Sequence, residues 1–339
     1  MKKLLFVMFA IAVSCESFGG AVKFSVQVLD EETERPVSGV KVSAGFDMDK
    51  GVLARDRFTC EFKQYETNES GLIKAWGSSN SGGAGFAIVR AEGYYYPVHG
   101  DGLRFRKKNF FGVWQPDDLV VTVKLQRVEH PIPLWVKKEL LNVKQEIANI
   151  NRGSFSYDLM MGEWLPPFGK GKVADIEFTR LPHEDLGEGE NDGIKANSYR
   201  DAVAVRFVGN DNGIIECWPP AGACLKIRSA PEGDYVHDYL CWEGLDRNLK
   251  YSTNYDKNRC LAFRIRVVKD DRGRIVNAYY GKIYNDIVAY TGAGHAIFGV
   301  MFSYYLNPTS LDRNLEWDRK TNLCPNPGDV GDSVAGRQP

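Results

Sequence analysis

Asp175 and Glu177 lie two residues apart in a stretch that alternates as a strand, so their carboxyl groups are expected on one face. A glycosidase needs two carboxyl groups about 5–10 Å apart across a sugar, and same-face strand neighbours can meet that separation. The plainer reading is an exposed face of a one-sided antiparallel sheet. A second set of acids, Glu184, Asp185, Glu188, Glu190 and Asp192, crowds the segment before Gly193. Calcium takes clustered carboxylate oxygens on a flexible loop. Here Tyr199 occupies the position where a bidentate Glu would close the site, so the segment reads as a solvated surface loop.

The histidines are His99, His130, His183, His237 and His295. None pairs with another at metal-ligand spacing, no H-E-x-x-H is present, and His295 reads as a structural residue in a turn. A G-x-S-x-G nucleophile elbow is also missing. Gly169-Lys170-Gly171-Lys172 lacks both the upstream glycine spacing and the Ser/Thr of a phosphate-binding loop. No metal ligand set or cofactor is therefore expected, and the residues of any catalytic site stay unassigned.

Cysteine chemistry is more informative. The chain has seven cysteines, of which Cys15 stands apart near the start. Lys2 and Lys3 precede a ten-residue apolar run, Leu4 to Val13. That run has the length of a signal-peptide core and falls short of the ~20 residues a spanning helix needs. Export is the expected consequence. Gly19 and Ala21 supply small residues for cleavage after Ala21. Alternatively, Ala12-Val13-Ser14-Cys15 resembles a bacterial lipobox, with Ala12 in place of the usual leucine, which would make Cys15 a lipid attachment site. In an oxidising compartment Cys217, Cys224, Cys241 and Cys260 become candidate disulfide cysteines. Cys217 and Cys224 would close a small loop around Pro219-Pro220, and Cys241 and Cys260 bracket a polar stretch. Bridges involving Cys60 or Cys324 leave the connectivity open. No C-x-x-C is present, which argues against a zinc ribbon or a thioredoxin-type pair.

The elements that must position these residues read as strands. With 339 residues, 43% hydrophobic and 26% charged, the chain is long enough for about two globular domains. Its net charge of −1 gives no field for nucleic acid. Val22, Phe24, Val26 and Val28 alternate with polar residues, as do Val40, Val42 and Ala44, then Phe58, Cys60 and Phe62, and finally Leu119, Val121, Val123 and Leu125. Gly77 to Gly85 is rich in Gly and Ser and reads as a mobile loop. Beyond residue 154 the best strands are Val173–Phe178, Ala202–Val208, Leu261–Val268, Ile275–Ile283 and Ala296–Tyr305. Asn210–Gly213 and Asp270–Gly273 read as hairpin loops.

Several of these segments, in order, resemble carboxypeptidase regulatory-like domains. They are Val26–Asp30, Arg35–Val42, the turn Thr67–Leu72, Ala91-Glu92-Gly93-Tyr94 and the strand Leu119–Leu125. The long stretch between residues 45 and 57 and the insertion between Tyr96 and Asp117 depart from that pattern. The resemblance implies a seven-stranded transthyretin-like sandwich with a supporting or binding role, and it brings no active site. Gly162–Lys172, and Asn307-Pro308 with Asp312–Glu316, resemble only segments of uncharacterised exported bacterial proteins.

The expected fold is all-β in two domains. A signal peptide at 1–21 precedes a regulatory-like sandwich at 22–128. A linker at 129–153 leads to a larger β-sandwich or jelly-roll-like domain at 154–324, with a disordered tail at 325–339. In the linker, Leu140, Val143, Ile147 and Ile150 favour a short helix slightly over a strand. The expected function is a non-enzymatic binding or structural role in the bacterial cell envelope or exterior. The alternative is an exported glycan-active hydrolase with an accessory N-terminal sandwich. Partners would be a glycan, held on some of the seven tryptophans, or an envelope protein. Nucleic acid is not expected, and membrane contact is expected only through the signal or a lipid anchor. Oligomeric state stays open. Arg104-Phe105-Arg106-Lys107-Lys108 with Phe110-Phe111 would suggest nucleic acid in a cytosolic chain. In an exported one it points to an acidic glycan, a lipid headgroup or a plain loop.

Overall fold

The computed structural model describes residues 20–49, 58–95, 101–144, 154–218, 227–256, 259–292 and 297–327. Those residues form strands, turns and loops, with no helix among them. The chain divides into two compact units, Met1–Arg127 and Val128–Pro339. The fold is all-β and two-domain, as the alternation predicts.

The first unit contains β1 (Gly20–Asp30), β2 (Lys41–Asp49), β3 (Phe58–Glu66), β4 (Leu72–Ser79), β5 (Gly83–Arg90), β6 (Tyr94–Tyr95), β7 (Asp101–Arg104), β8 (Lys107–Lys108), β9 (Trp114–Gln115) and β10 (Leu119–Arg127). One four-stranded sheet runs β4-β1-β10-β6 and another β3-β2-β5-β7, while β8 and β9 pair separately. β1 and β10 lie parallel, with Val26 opposite Val121. The alternating residues of β1 point between the sheets: Val22, Phe24, Val26 and Val28 are buried with Val42, Ala44 and Phe46 of β2. The Phe24 ring sits 6.0 Å from Phe46 and 6.2 Å from Phe86 of the facing sheet. Each such buried ring contributes about 1.5–3 kcal/mol relative to exposure.

The predicted mobile loop Gly77–Gly85 is largely strand, with its turn at residues 80–82. Its glycines serve close packing rather than mobility. A Cβ on Gly77 would stand 2.5 Å from the Phe46 ring, and one on Gly83 would stand 2.0 Å from Asp47 Oδ2. A glycine inside a strand often marks this kind of approach.

The second unit contains β11 (Ile132–Lys144), β12 (Ser154–Asp158), β13 (Glu163–Trp164), β14 (Ile176–Arg180), β15 (Glu184–Asn191), β16 (Ile194–Phe207), β17 (Gly213–Cys217), β18 (Asp238–Leu245), β19 (Tyr251–Thr253), β20 (Cys260–Lys269), β21 (Ile275–Gly292), β22 (Ile297–Leu306) and β23 (Trp317–Asn322). Six strands run β17-β20-β21-β22-β11-β23; the other sheet runs β13-β12-β14-β16-β18-β19, with β15 on β16. Phe155, Tyr157, Phe178 and Phe207 from one sheet share a core with Phe263, Val300, Phe302 and Tyr304 from the other. Phe178 stacks on Phe302 at 5.5 Å.

Three expectations are corrected here. Residues 132–144 of the expected linker form β11 inside the six-stranded sheet, so Leu140 and Val143 of the expected short helix are strand, while Ile147 and Ile150 lie outside the described residues. Leu134 and Val136 pack on one side of β11 with Tyr305 and Trp317, and Leu141 packs on the other. A strand covered on both faces loses the two-residue alternation that would reveal it. The acidic segment predicted as a loop is β15, paired along its length with β16. Its turn is Asp192-Gly193, with φ of 49° and 79°, which suits the twist of a two-residue hairpin. Asn210–Gly213 is not a hairpin loop, because β16 and β17 lie in different sheets. Asp270–Gly273 does join the paired strands β20 and β21. Residues 1–19 and 328–339, with most of the expected signal and tail, lie outside the described residues.

Candidate functional site

Asp175 and Glu177 are not brought together. Asp175 immediately precedes β14 and is buried, whereas Glu177 lies within the strand, opposite Arg206. Asp175 accepts the Leu159 amide at 2.9 Å and two hydrogen bonds from Arg266. The same guanidinium donates to Asp158 Oδ1 at 2.7 Å. Asp158 in turn accepts the amides of Met161, Lys172 and Val173, so it organises the turn around β13. Burial pushes the Asp175 carboxyl up, against the pull of Arg266. The arrangement closes the loops of one sheet onto β20 of the other, and the two acids have no common open face toward a sugar. The acids of β15 are also dispersed: Glu188 pairs with Lys195 at 3.3 Å. No group of three potential metal ligands occurs among the described residues.

The centre best suited to chemistry lies around Asp286, where β21 bulges between Tyr284 and Val288. Asp286 has φ of 71°, an uncommon conformation for a residue other than glycine. Its Oδ1 accepts the Tyr239 hydroxyl at 2.9 Å and the Ile287 amide at 2.7 Å. Its Oδ2 accepts the Asp256 amide at 3.2 Å and lies 3.1 Å from Arg259 Nη2. Arg259 Nη1 reaches Glu216 Oε1 at 3.0 Å. The indole of Trp218, an exposed residue, lies 5.5 Å from the guanidinium, and the Tyr239 ring lies 5.6 Å away. Burial pushes the Asp286 carboxyl up, while the Ile287 amide and Arg259 hold it down. Burial also drives the nearby Cys241 thiol and Tyr239 hydroxyl upward, and Asp286 adds to both. A raised carboxyl beside a tyrosine can move a proton. Here Arg259 neutralises Asp286 and Glu216 together, which opposes that use. Residues 216, 239, 259 and 286 come from four different strands or connections, so no sequence spacing signals them.

A third polar centre lies within the core. Lys137 and Glu139 project from the same face of β11 and pair at 2.8 Å. Lys137 also donates to the Gly162 carbonyl, and the Trp164 indole donates to Glu139 Oε2 at 2.9 Å.

Cys217, Cys241, Cys260 and Cys324 are thiols in this structure. Cys241 and Cys260, the pair that brackets a polar stretch, lie on strands of different sheets. Cys217 stands opposite Cys260 instead, at the end of the β17–β20 ladder. Cys15, Cys224 and His295 lie outside the described residues. His183 meets the buried Asp201 through Nδ1 at 3.0 Å. The Arg104–Lys108 segment spans the end of β7 and the strand β8.

No family model and no curated protein matches this chain. Solved structures with some likeness include bacterial pilins. The minor pilin GBS52 of Streptococcus agalactiae aligns at 17% identity and a TM-score of 0.24, over 34% of this chain and 48% of that one. BcpA, the major pilin subunit of Bacillus cereus, aligns at 12% identity and a TM-score of 0.23, over 90% of this chain and 97% of that one. The C-terminal domain of the shaft pilin SpaA from Lactobacillus rhamnosus GG aligns at 8% identity and a TM-score of 0.22, over 32% of this chain and 98% of that one. This chain therefore spans about half the length of the minor pilin. Likenesses at this level assign no function to it.

Proposed function

We propose that this is an exported, non-enzymatic protein of the cell envelope or exterior, with a structural or binding role. One observation carries the reading. The buried acids among the described residues are Asp30, Glu139, Asp158, Asp175, Asp201, Asp286 and Glu316. Each has a cationic side chain within 4 Å: Arg127, Lys137, Arg266, Arg266, Arg180, Arg259 and Arg228, respectively. Buried charge in this protein is committed to internal locks. A general acid needs a carboxyl that is left available to substrate. The lysine-led apolar run at the N-terminus supports export.

The first unit supports the regulatory-like reading of residues 22–128. Seven strands of four or more residues, β1 to β5 with β7 and β10, divide between its two sheets. Of the two readings of the N-terminus, lipidation at Cys15 fits β1 better. Gly20 and Ala21 pair with Ser79 and Ser78, and cleavage after Ala21 would remove both pairs. It would also place a new ammonium group at Val22, whose side chain is fully buried.

The glycan-hydrolase reading has its best carboxyl pair in Glu216 and Asp286, both joined to Arg259, whose guanidinium lies 5.5 Å from the ring of the exposed Trp218. Incubation of the purified chain with a panel of bacterial glycans decides between the readings. No hydrolysis is expected, and turnover that disappears in Asp286→Asn would overturn the proposal. Mass spectrometry of the mature N-terminus tests the anchor: a diacylglyceryl-modified Cys15 is expected, and an unmodified Val22 terminus refutes it.

A further inference from the structure

The β8–β9 hairpin holds the most exposed aromatic pair described in this protein. Phe110 is 98% and Phe111 85% exposed, with their rings edge to face at 5.6 Å. The loop beneath them is firmly built. Asn109 donates its amide to the Val113 carbonyl at 2.8 Å and receives the Gly112 amide at 3.0 Å. The Asn109 side-chain oxygen accepts the amides of Phe111 at 3.0 Å and Val113 at 2.9 Å. Gly112 adopts φ of 74°, closing the turn. The hairpin is tied to its sandwich at both ends. Phe105 is buried ahead of it, the Ala21 amide donates to the Gly112 carbonyl at 3.1 Å, and the Trp114 indole donates to the Ser79 carbonyl at 2.8 Å.

The segment that carries this tip holds charge of one sign. Arg104, Arg106, Lys107 and Lys108 are all exposed, and no Asp or Glu occurs from residue 104 to 116. The nearest acids in sequence, Asp101, Asp117 and Asp118, lie outside that segment. Single exposed apolar residues need no explanation. Two adjacent, almost fully exposed aromatics on a braced turn, next to four exposed cations, do need one.

We propose that this hairpin docks on an anionic phospholipid bilayer, inserting Phe110 and Phe111 into the interfacial layer while the four cations sit over the headgroups. Aromatic rings favour that layer. Basic residues near it gain from the negative surface potential, within a Debye length. The braced turn reduces the ordering cost of insertion. An edge-to-face pair on a protruding tip offers no flat platform for a sugar ring, which sets the bilayer ahead of a glycan. This surface belongs to neither reading of function above. It gives the protein a membrane contact separate from any N-terminal anchor, and it selects the lipid headgroup among the three readings this segment had from its sequence.

The test is co-sedimentation of the full chain with vesicles of phosphatidylglycerol and phosphatidylcholine, beside vesicles of phosphatidylcholine alone. Binding to the anionic vesicles is expected to be about tenfold stronger and to fall with salt. Phe110→Ser with Phe111→Ser is expected to weaken it about tenfold. Lys107→Gln with Lys108→Gln is expected to flatten the salt dependence. The N-terminal segment is common to all these proteins, so differences between them isolate the hairpin. Equal binding by wild type and the phenylalanine variant overturns the proposal, as does a failure of wild type to prefer anionic vesicles. Both phenylalanines are exposed, so their replacement leaves the core intact, and an unchanged melting temperature confirms that.

Discussion

Asp175 and Arg266 form a bidentate pair, Nε to Oδ1 and Nη2 to Oδ2, both at 2.9 Å. The same Nη2 serves Asp158, so one guanidinium neutralises two buried carboxylates. Arg266→Met leaves both acids buried and without that cation. Breaking a buried pair from one side costs about 3–5 kcal/mol. Urea unfolding of the C-terminal unit should register a loss of that order. A change under about 1 kcal/mol would show that water or rearrangement replaces the clamp.

Lys137 and Glu139 offer a sharper comparison, because both lie within an apolar core. Lys137→Met alone strands Glu139 and should cost about 3–5 kcal/mol. Adding Glu139→Leu should recover most of that loss, since a well-packed apolar pair often equals a buried ion pair. The recovery will be incomplete by about 1–3 kcal/mol, because the Trp164 indole N–H loses its acceptor. A double-mutant cycle measures the coupling, and simple additivity would refute it.

The pH response of the N-terminal unit should centre on Asp30. Burial works against its charge, but the Thr33 amide and hydroxyl and the Tyr94 hydroxyl donate to it and hold its pKa down at about 2, against an ordinary 3.8. A carboxyl with a depressed folded pKa stabilises above the unfolded value, and that stability is lost as pH falls through the folded one. Wild type should therefore lose stability between about pH 4 and pH 2. Asp30→Asn should be less stable at pH 6 and show a shallower slope across that window. Thermal melts at closely spaced pH values provide the measurement; identical slopes would count against the assignment.

Thiol chemistry can be read directly. Burial raises the Cys241 pKa well above the ordinary thiol range, and the thiolate is the reactive form. In the native protein Cys241 should resist iodoacetamide for hours. In denaturant without reductant Cys217, Cys241, Cys260 and Cys324 should all alkylate, as thiols do. Peptide mass spectrometry reports each site. A Cys217–Cys260 bridge in protein taken from its own cells would appear as two positions that label only after reduction.

Parts of this fold were plain in the residue order, and the exceptions have physical reasons. Val22, Phe24, Val26 and Val28 alternate because one face of β1 meets a core and the other does not. β11 has apolar neighbours on both sides and two charged residues within its buried face, so it follows neither period cleanly. β15 fails in the opposite way: apart from Gly189 and the half-buried Leu186, its residues are exposed, and its pairing rests on the Asp192-Gly193 turn. The polar centres were illegible for a topological reason. Arg266 lies 91 residues from Asp175 and 108 from Asp158 in sequence. Only Lys137 and Glu139 are near enough along the chain to suggest a pair, and charged residues two apart on a strand more often face solvent.

The placement of β11 governs how this protein can be taken apart. A fragment starting at Ser154, after the expected linker, would lack the strand that lies between β22 and β23. β22 would then present a long unpaired backbone edge, Ile297–Leu306, that bears Val300, Phe302, Tyr304 and Leu306. Exposed apolar edges of this kind recruit strands from neighbouring molecules. Such a fragment should precipitate or swap strands, whereas a cut between Arg127 and Val128 leaves each unit its own sheets.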